Sequence, residues 1–304
     1  MLLNHLEKQK LIHPPSWLAN GTQFLCQMGS VAYGVSGETS DIDVYGFAIP
    51  PKDNVFPHIA GEIKGFGTQV SQFENWQQHR VIDPSNQREY DFSIFSIQRF
   101  FSLCMDNNPN MIDSLFVPRR CVLHSTAIGE HVRDHRKIFL HKGAFKKFKG
   151  YAYAQMTKMR KPMVMDNDGN LVPATINGKR AADIEKNGYD TKFAYHLVRL
   201  ACECEQILVE HDLNLESNSE QLKSIRRGEW TLEQIEEWFS EKEKSLEVLY
   251  GQSTLPAVPD EARIRQLLME CLEMYFGNLD TVVSKNPSME KFIDDLENLM
   301  NRYR

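Results

Sequence analysis

Nowhere in the 304 residues is there a run of the roughly eighteen apolar side chains that a transmembrane helix needs. Cysteine is scarce: six thiols stand at 26, 104, 121, 202, 204 and 271, with no C-x-x-C pair among them. That spacing excludes a disulfide framework and an ordinary zinc site, and it fits buried thiols in a reducing compartment. The opening stretch, MLLNHLEKQKLIHPPSW, is broken by charges and lacks the apolar core of a signal peptide, so the expectation is a cytoplasmic protein without a membrane partner. Internal repeats and low-complexity tracts are absent as well. What is there is 41 % hydrophobic and 25 % charged, the composition of a globular chain rather than a disordered one.

The net charge of −6 conceals an asymmetry. Residues 201–304 hold 22 acidic and 11 basic side chains, whereas residues 1–200 hold 24 basic and 19 acidic. A mildly basic front with an acidic back can turn one surface to a polyanion and stay soluble. Within the front, the segment Lys142–Lys161 carries Lys142, Lys146, Lys147, Lys149, Lys158, Arg160 and Lys161 with no acid between them. It is either a solvated helix face or an electrostatic track for RNA.

Periodicity divides the chain near residue 140. In front, a short helix over 2–10 runs into Pro14-Pro15. Strand patterns follow at 22–28, 41–49 and 89–95, with a helix over 97–105 that Asn107-Asn108-Pro109 stops. A last short strand at Val122–Leu123 precedes a helix reaching about Arg136. Beyond Gly143 the spacing is helical, over 144–160, 192–211, 232–249 and 261–276, the third opened by Thr231 and Gln234 in capping-box spacing. Between the first two lies a long stretch from Met163 to Asp190, rich in Gly, Asn and Asp, which reads as a loop. The fold class expected is therefore α+β: a mixed sheet with flanking helices in residues 1–140, then an all-helical second domain in residues 141–304.

The chemistry concentrates in MGSVAYGVSGETSDIDVYG, residues 28–46. Gly29-Ser30 follows a strand, where a glycine lets the backbone approach a phosphate and a serine hydroxyl donates to it. After Ser40 comes Asp41-Ile42-Asp43. On a strand, residues i and i+2 share a face, so Asp41 and Asp43 project together while Ile42 turns to the core. Paired carboxylates repel unless cations sit between them, and such oxygen-rich sites suit Mg²⁺, with Mn²⁺ an alternative. Asp91 offers a third carboxylate from another strand, although alternation puts Glu89 on the same face. Three acids beside a phosphate-gripping turn make a template for two-metal phosphoryl transfer.

This order of strand, Gly-Ser, Asp-x-Asp and a later strand carboxylate resembles the DNA polymerase β-like nucleotidyltransferase superfamily. Within it, GSVAYGVSGETSDIDVYG looks like the branch of bacterial and phage predicted nucleotidyltransferases associated with RNA repair. FFSLCMDNNPNMIDSLF, YAYAQMTK and GYDTKFAYHLVRLACECEQIL are similar to that branch too, so the resemblance covers roughly residues 24–210. It implies a nucleotidyltransferase-type sheet and transfer of a nucleoside monophosphate from an NTP to an acceptor hydroxyl. It implies Gly29 and Ser30 as phosphate contacts, joined by Ser40, and Asp41, Asp43 and Asp91 as catalytic metal ligands, Asp91 also a candidate base. The second domain is expected to close over the nucleotide with basic side chains. Lys192, His196 and Arg199, spaced i, i+4, i+7, fit that role, and Lys158 repeats the geometry with Tyr151 and Gln155 on the preceding helix. The expected acceptor is an RNA end, such as a broken tRNA. A protein side chain is the alternative acceptor, and nucleotide or RNA binding without turnover is the alternative function.

Other patterns point away from chemistry. Asp166-Asn167-Asp168-Gly169 places its glycine too early for a calcium loop and lacks the closing bidentate acid. His131 and His135 lack the glutamate of a metalloprotease helix and read as surface histidines. Cys202 and Cys204 stand too close together to hold a metal, and Trp230, Trp238 and Phe239 read as helical core.

Overall fold

The computed structural model describes residues 1–35, 42–60, 72–160, 163–165, 171–173 and 181–279, together with positions 296 and 300. Two short helices, α1 (Leu2–Lys8) and α2 (Leu18–Gly21), lead into strand β1 (Thr22–Gln27) and a single 3₁₀ turn, Gly29–Val31. Strand β2 (Ile42–Ala48) is followed by α3 (Lys52–Val55) and the hairpin of β3 (Asn75–Asp83) and β4 (Arg88–Ser96). Then come α4 (Ile97–Met105), α5 (Pro109–Phe116), β5 (Val122–Ser125) and α6 (Ala127–Asp134). These five strands form one sheet in the order β3-β4-β2-β1-β5. It is mixed: β2 and β4 run parallel, and the other neighbours are antiparallel.

Alternation along the strands builds two cores. Ile42, Val44, Tyr90, Phe92 and Ile94 turn to one face, where they pack with Leu3, Leu6 and Ile12 from the N-terminal segment. On the other face Phe24 and Phe47 meet Phe100 of α4, and this larger core continues without a break to Leu272. Asn107-Asn108-Pro109 ends one helix and starts the next. The Asn108 side chain caps α5 by accepting from the Asn110 and Met111 amides, with Pro109 in the first turn, where its missing N–H costs nothing.

Beyond residue 140 lie α7 (Gly143–Met159), the small antiparallel pair β6 (Met163–Met165) and β7 (Leu171–Pro173), and α8 (Ala181–Asn187). They are followed by α9 (Thr191–Glu210), α10 (Ser219–Arg226), α11 (Leu232–Gln252) and α12 (Glu261–Phe276). The helical back half is as expected, and the Thr231–Gln234 capping box forms. The stretch read as a long loop instead carries a hairpin and α8, so the back half is not purely helical. Strand β3 also escaped the sequence reading: its polar residues alternate only weakly, as suits an edge strand with one neighbour. α9 is the axis of this half. Fourteen of its twenty residues are buried, because α7, α10 and α11 pack around it.

Candidate active site

The candidate site lies where the Gly29 turn meets the first residues of β2. The Met28 amide donates to the Asp43 carbonyl at 2.7 Å, so the turn leaves β1 directly beside Asp43. Gly29 has φ +74°, and a Cβ built on it would stand 2.5 Å from Asp43 Oδ2. Glycine is required there twice over: for the left-handed backbone, and because the Asp43 carboxylate occupies the space a side chain would take. The turn is closed by Val35 N–H donating to Ser30 O at 2.8 Å. Its outer side is pinned by Arg120, which donates to Val31 O at 3.1 Å while forming an ion pair with Glu216 at 2.7 Å.

Across the parallel pairing, Asp43 is in register with Asp91, between the core pairs Ile42–Tyr90 and Val44–Phe92. Of the two candidate third acids, Asp91 is the one beside Asp43; Glu89 lies opposite Ile82 of β3. Asp91 is about one-third exposed and accepts from the Arg80 backbone N–H at 2.7 Å, with His79 Nδ1 3.5 Å away. Ser40 and Asp41 lie outside the described residues. Among the described residues no group of three or more His, Cys, Asp or Glu is arranged to hold a metal. Asp43 and Asp91 nevertheless offer neighbouring carboxylate oxygens, the hard donor set that suits Mg²⁺ or Mn²⁺. Tyr45, two residues beyond Asp43 on the same strand, is pushed up to about 12 by burial and by the Asp43 charge, so it stays a neutral phenol.

The α9 residues divide. Lys192 is exposed and His196 half-buried, its ring 4.1 Å from that of Tyr195. Lys158 of α7 sits over the Phe193 ring at 5.8 Å. Arg199 does not belong to a solvent-facing cation stripe, and that expectation is corrected. It is 5 % exposed, donates to both Asp113 and Glu203, and lies 4.2 Å over the Tyr33 ring. The Tyr33 hydroxyl in turn donates to Asp113 at 2.8 Å, so Arg199 reaches the Gly29 turn only through this buried cluster. Burial pushes the Asp113 and Glu203 carboxyls up, Glu203 strongly, against the pull of Arg199.

The Lys142–Lys161 segment is likewise not an uninterrupted basic track. Lys147 pairs with Asp106 at 2.7 Å, Lys149 with Glu243 at 2.6 Å and Arg160 with Glu236 at 2.9 Å, the last two acids coming from α11. Lys161 lies outside the described residues. His131 is more than a surface histidine: it is partly buried and contacts Glu270 at 2.9 Å. Trp230 and Trp238 are only partly buried, with Phe239 in the core. All six cysteines are buried and unbridged.

Two side chains near the site went unnoticed in the sequence. Tyr195 of α9 is buried and pushed up to about 12, chiefly by burial, with the Asp43 charge contributing. Arg226, at the end of α10, lies 5.4 Å over the Tyr195 ring and 3.5 Å from the Thr191 hydroxyl. Helical spacing could have put Tyr195 beside Lys192 and His196, but nothing local marks Arg226, which reaches α9 only through the packing of α10.

The class of protein is a nucleotidyltransferase of the DNA polymerase β type. The family is narrower: residues 3–296 match the RNA repair pathway DNA polymerase beta family, RlaP, and the chain belongs to it. No curated protein matches the sequence. Among solved structures, the chain overlaps a nucleotidyltransferase-like protein from Exiguobacterium sibiricum at 10 % identity and a TM-score of 0.28, covering 82 % of this chain and 73 % of that one. That overlap is too loose to bear on fold or function. No helix among the described residues is long and apolar enough to cross a membrane.

Proposed function

We propose that the chain moves a nucleoside monophosphate from an NTP to the hydroxyl of an RNA end, such as that of a broken tRNA, with pyrophosphate leaving. The observation that carries this reading is the Asp43 carboxylate held against Gly29 and in register with Asp91. The turn admits a phosphate close to the backbone, and the Ser30 hydroxyl donates to it. Asp43 and Asp91, together with Asp41, would hold the divalent cations, and Ser40 would contact the nucleotide. A divalent cation held there would supply Lewis acidity, lowering the pKa of the acceptor hydroxyl and offsetting charge on the pyrophosphate.

Asp91, steadied by the Arg80 N–H, orients the hydroxyl and takes its proton. The hydroxyl oxygen forms its bond to the α-phosphorus as the bond from that phosphorus to the bridging oxygen breaks. Lys192 and His196, joined by Lys158 and Arg226, meet the charge of the triphosphate tail. Arg199 acts from behind, by fixing Tyr33 and thereby the turn. In this reading residues 1–140 carry the chemistry and residues 141–304 close over the nucleotide.

The test is incubation with each α-³²P-labelled NTP and Mg²⁺, in the presence of RNA or of protein extract, beside an Asp43→Asn control. Label on RNA that the control loses supports the proposal and reveals the base. Label on protein replaces the acceptor. Absence of label under every condition overturns the transfer reading.

A further inference from the structure

The Gly29 turn sits on the β1 side of Asp43, and Asp91 sits on the opposite side, next to the sheet's β3 edge. In an in-line displacement the attacking oxygen enters opposite the leaving group. With the triphosphate gripped at Gly29 and Ser30, the acceptor therefore arrives over Asp91 from the β3 side.

Strand β3 is irregular at this point. Its register against β4 shifts between Gln78 and Val81, so that one extra residue stands opposite Asp91. Arg80 takes up the bulge with φ +56°, a left-handed conformation that costs a non-glycine residue strain. The distortion aims the Arg80 N–H at Asp91 Oδ1 and sets His79 beside the same oxygen. Both His79 and Arg80 are exposed, and among the described residues the Arg80 guanidinium has no carboxylate partner. Along the same strand, Gln77 and Asn75 are exposed amides, Gln77 donating to Ser93 at 3.3 Å. Bulges beside active sites commonly re-aim a side chain, and strain kept where glycine would be easier points to a use for the side chain.

We propose that the β3 bulge is the acceptor subsite: Arg80 contacts a phosphate of a single-stranded RNA terminus, and His79 packs against its terminal nucleotide. This rests on the nucleotidyl-transfer reading above and adds where the acceptor binds. A cation, a flat imidazole and a row of amides match a phosphate, a base face and base edges. A peptide added as a further strand would need an unbroken ladder of edge amides, which the bulge interrupts.

The test uses the full chain and a 5′-fluorescein single-stranded RNA oligomer, with affinity read by anisotropy over a range of salt. Arg80→Gly keeps a residue suited to the left-handed backbone and retains the N–H to Asp91 while deleting the guanidinium. It should weaken RNA binding about tenfold and flatten the slope of log K against log salt by about 0.7. His79→Ala should weaken binding about tenfold through lost stacking. In both variants the change should fall on the KM for RNA and spare the affinity for NTP. Unchanged RNA affinity in both variants, equal loss of NTP affinity, or failure of the unaltered chain to bind the oligomer overturns the proposal. Binding requires no turnover, so RNA held through β3 without label incorporation would sink the transfer reading alone. Incorporation into RNA with full affinity in both variants would sink the subsite alone.

Discussion

Among the described residues, the Asp113–Glu203 and Asp43–Asp91 pairs are treated in opposite ways by the protein. Asp113 and Glu203 are sealed in the core, 0 % and 2 % exposed, around the single guanidinium of Arg199. Asp43 and Asp91 stand in register on neighbouring parallel strands, with Asp91 about one-third exposed. The first pair brings its cation with it and holds helices together. The second stands beside the Gly29 turn, on two strands of the sheet. Spacing in the sequence does not distinguish such pairs; what the surrounding elements bring to them does.

The comparison breaks most sharply at Asp43. On the proposed function, Asp43→Asn is expected to lower nucleotidyl transfer by about 10³-fold, while the melting temperature holds or rises. A melting temperature that fell together with activity would make Asp43 structural. Arg199→Met reverses the pattern. Two buried carboxylates lose their counter-charge, and chemical denaturation should show a loss of about 3–5 kcal/mol.

The pH dependence sharpens the contrast further. One guanidinium cannot neutralise two carboxylates, and burial holds Glu203 well above the usual range, so the folded chain keeps a proton that the unfolded chain releases. Stability contributed by that proton is complete below the ordinary carboxylate range and is lost as pH rises through the raised value. Thermal unfolding across pH should therefore fall on the alkaline side, and Glu203→Gln should flatten that fall. The smallest effect belongs to Tyr33→Phe. Losing the 2.8 Å bond to Asp113 should cost about 1 kcal/mol and raise the KM for NTP more than it lowers kcat, because the turn loosens.

Much of the sheet side was legible in the sequence, because strand alternation is a short-range rule. Ile42 and Val44 turn to the core, so Asp43 must turn away; Tyr90 and Phe92 do the same for Asp91. Which of Asp91 and Glu89 lies beside Asp43 follows only from register, which depends on the partner strand. The helix side was less legible. Reading Lys192, His196 and Arg199 as one exposed stripe assumes a helix with a wet face, yet α9 is surrounded. The partner of Arg199, Asp113, lies 86 residues earlier in the chain, where no window centred on the helix reaches it. Lys149 and Arg160 were misjudged for the same reason, their acids arriving on α11. The bulge at Arg80 had no signature beyond a polar strand whose alternation falters.

The interleaved register of β2 and β4 also has a consequence for quality of folding. The pairs Ile42–Tyr90 and Val44–Phe92 bracket Asp43–Asp91, so core and candidate site are written on alternate residues of the same two strands. A slip of one residue between them would carry the apolar row out of its core as surely as it parted the acids. A chain that assembled with the two acids out of register would thus also be an unstable chain, open to unfolding and a second attempt. The core acts as a proofreader for the alignment of the two acids, and molecules that persist are molecules in which they already stand abreast.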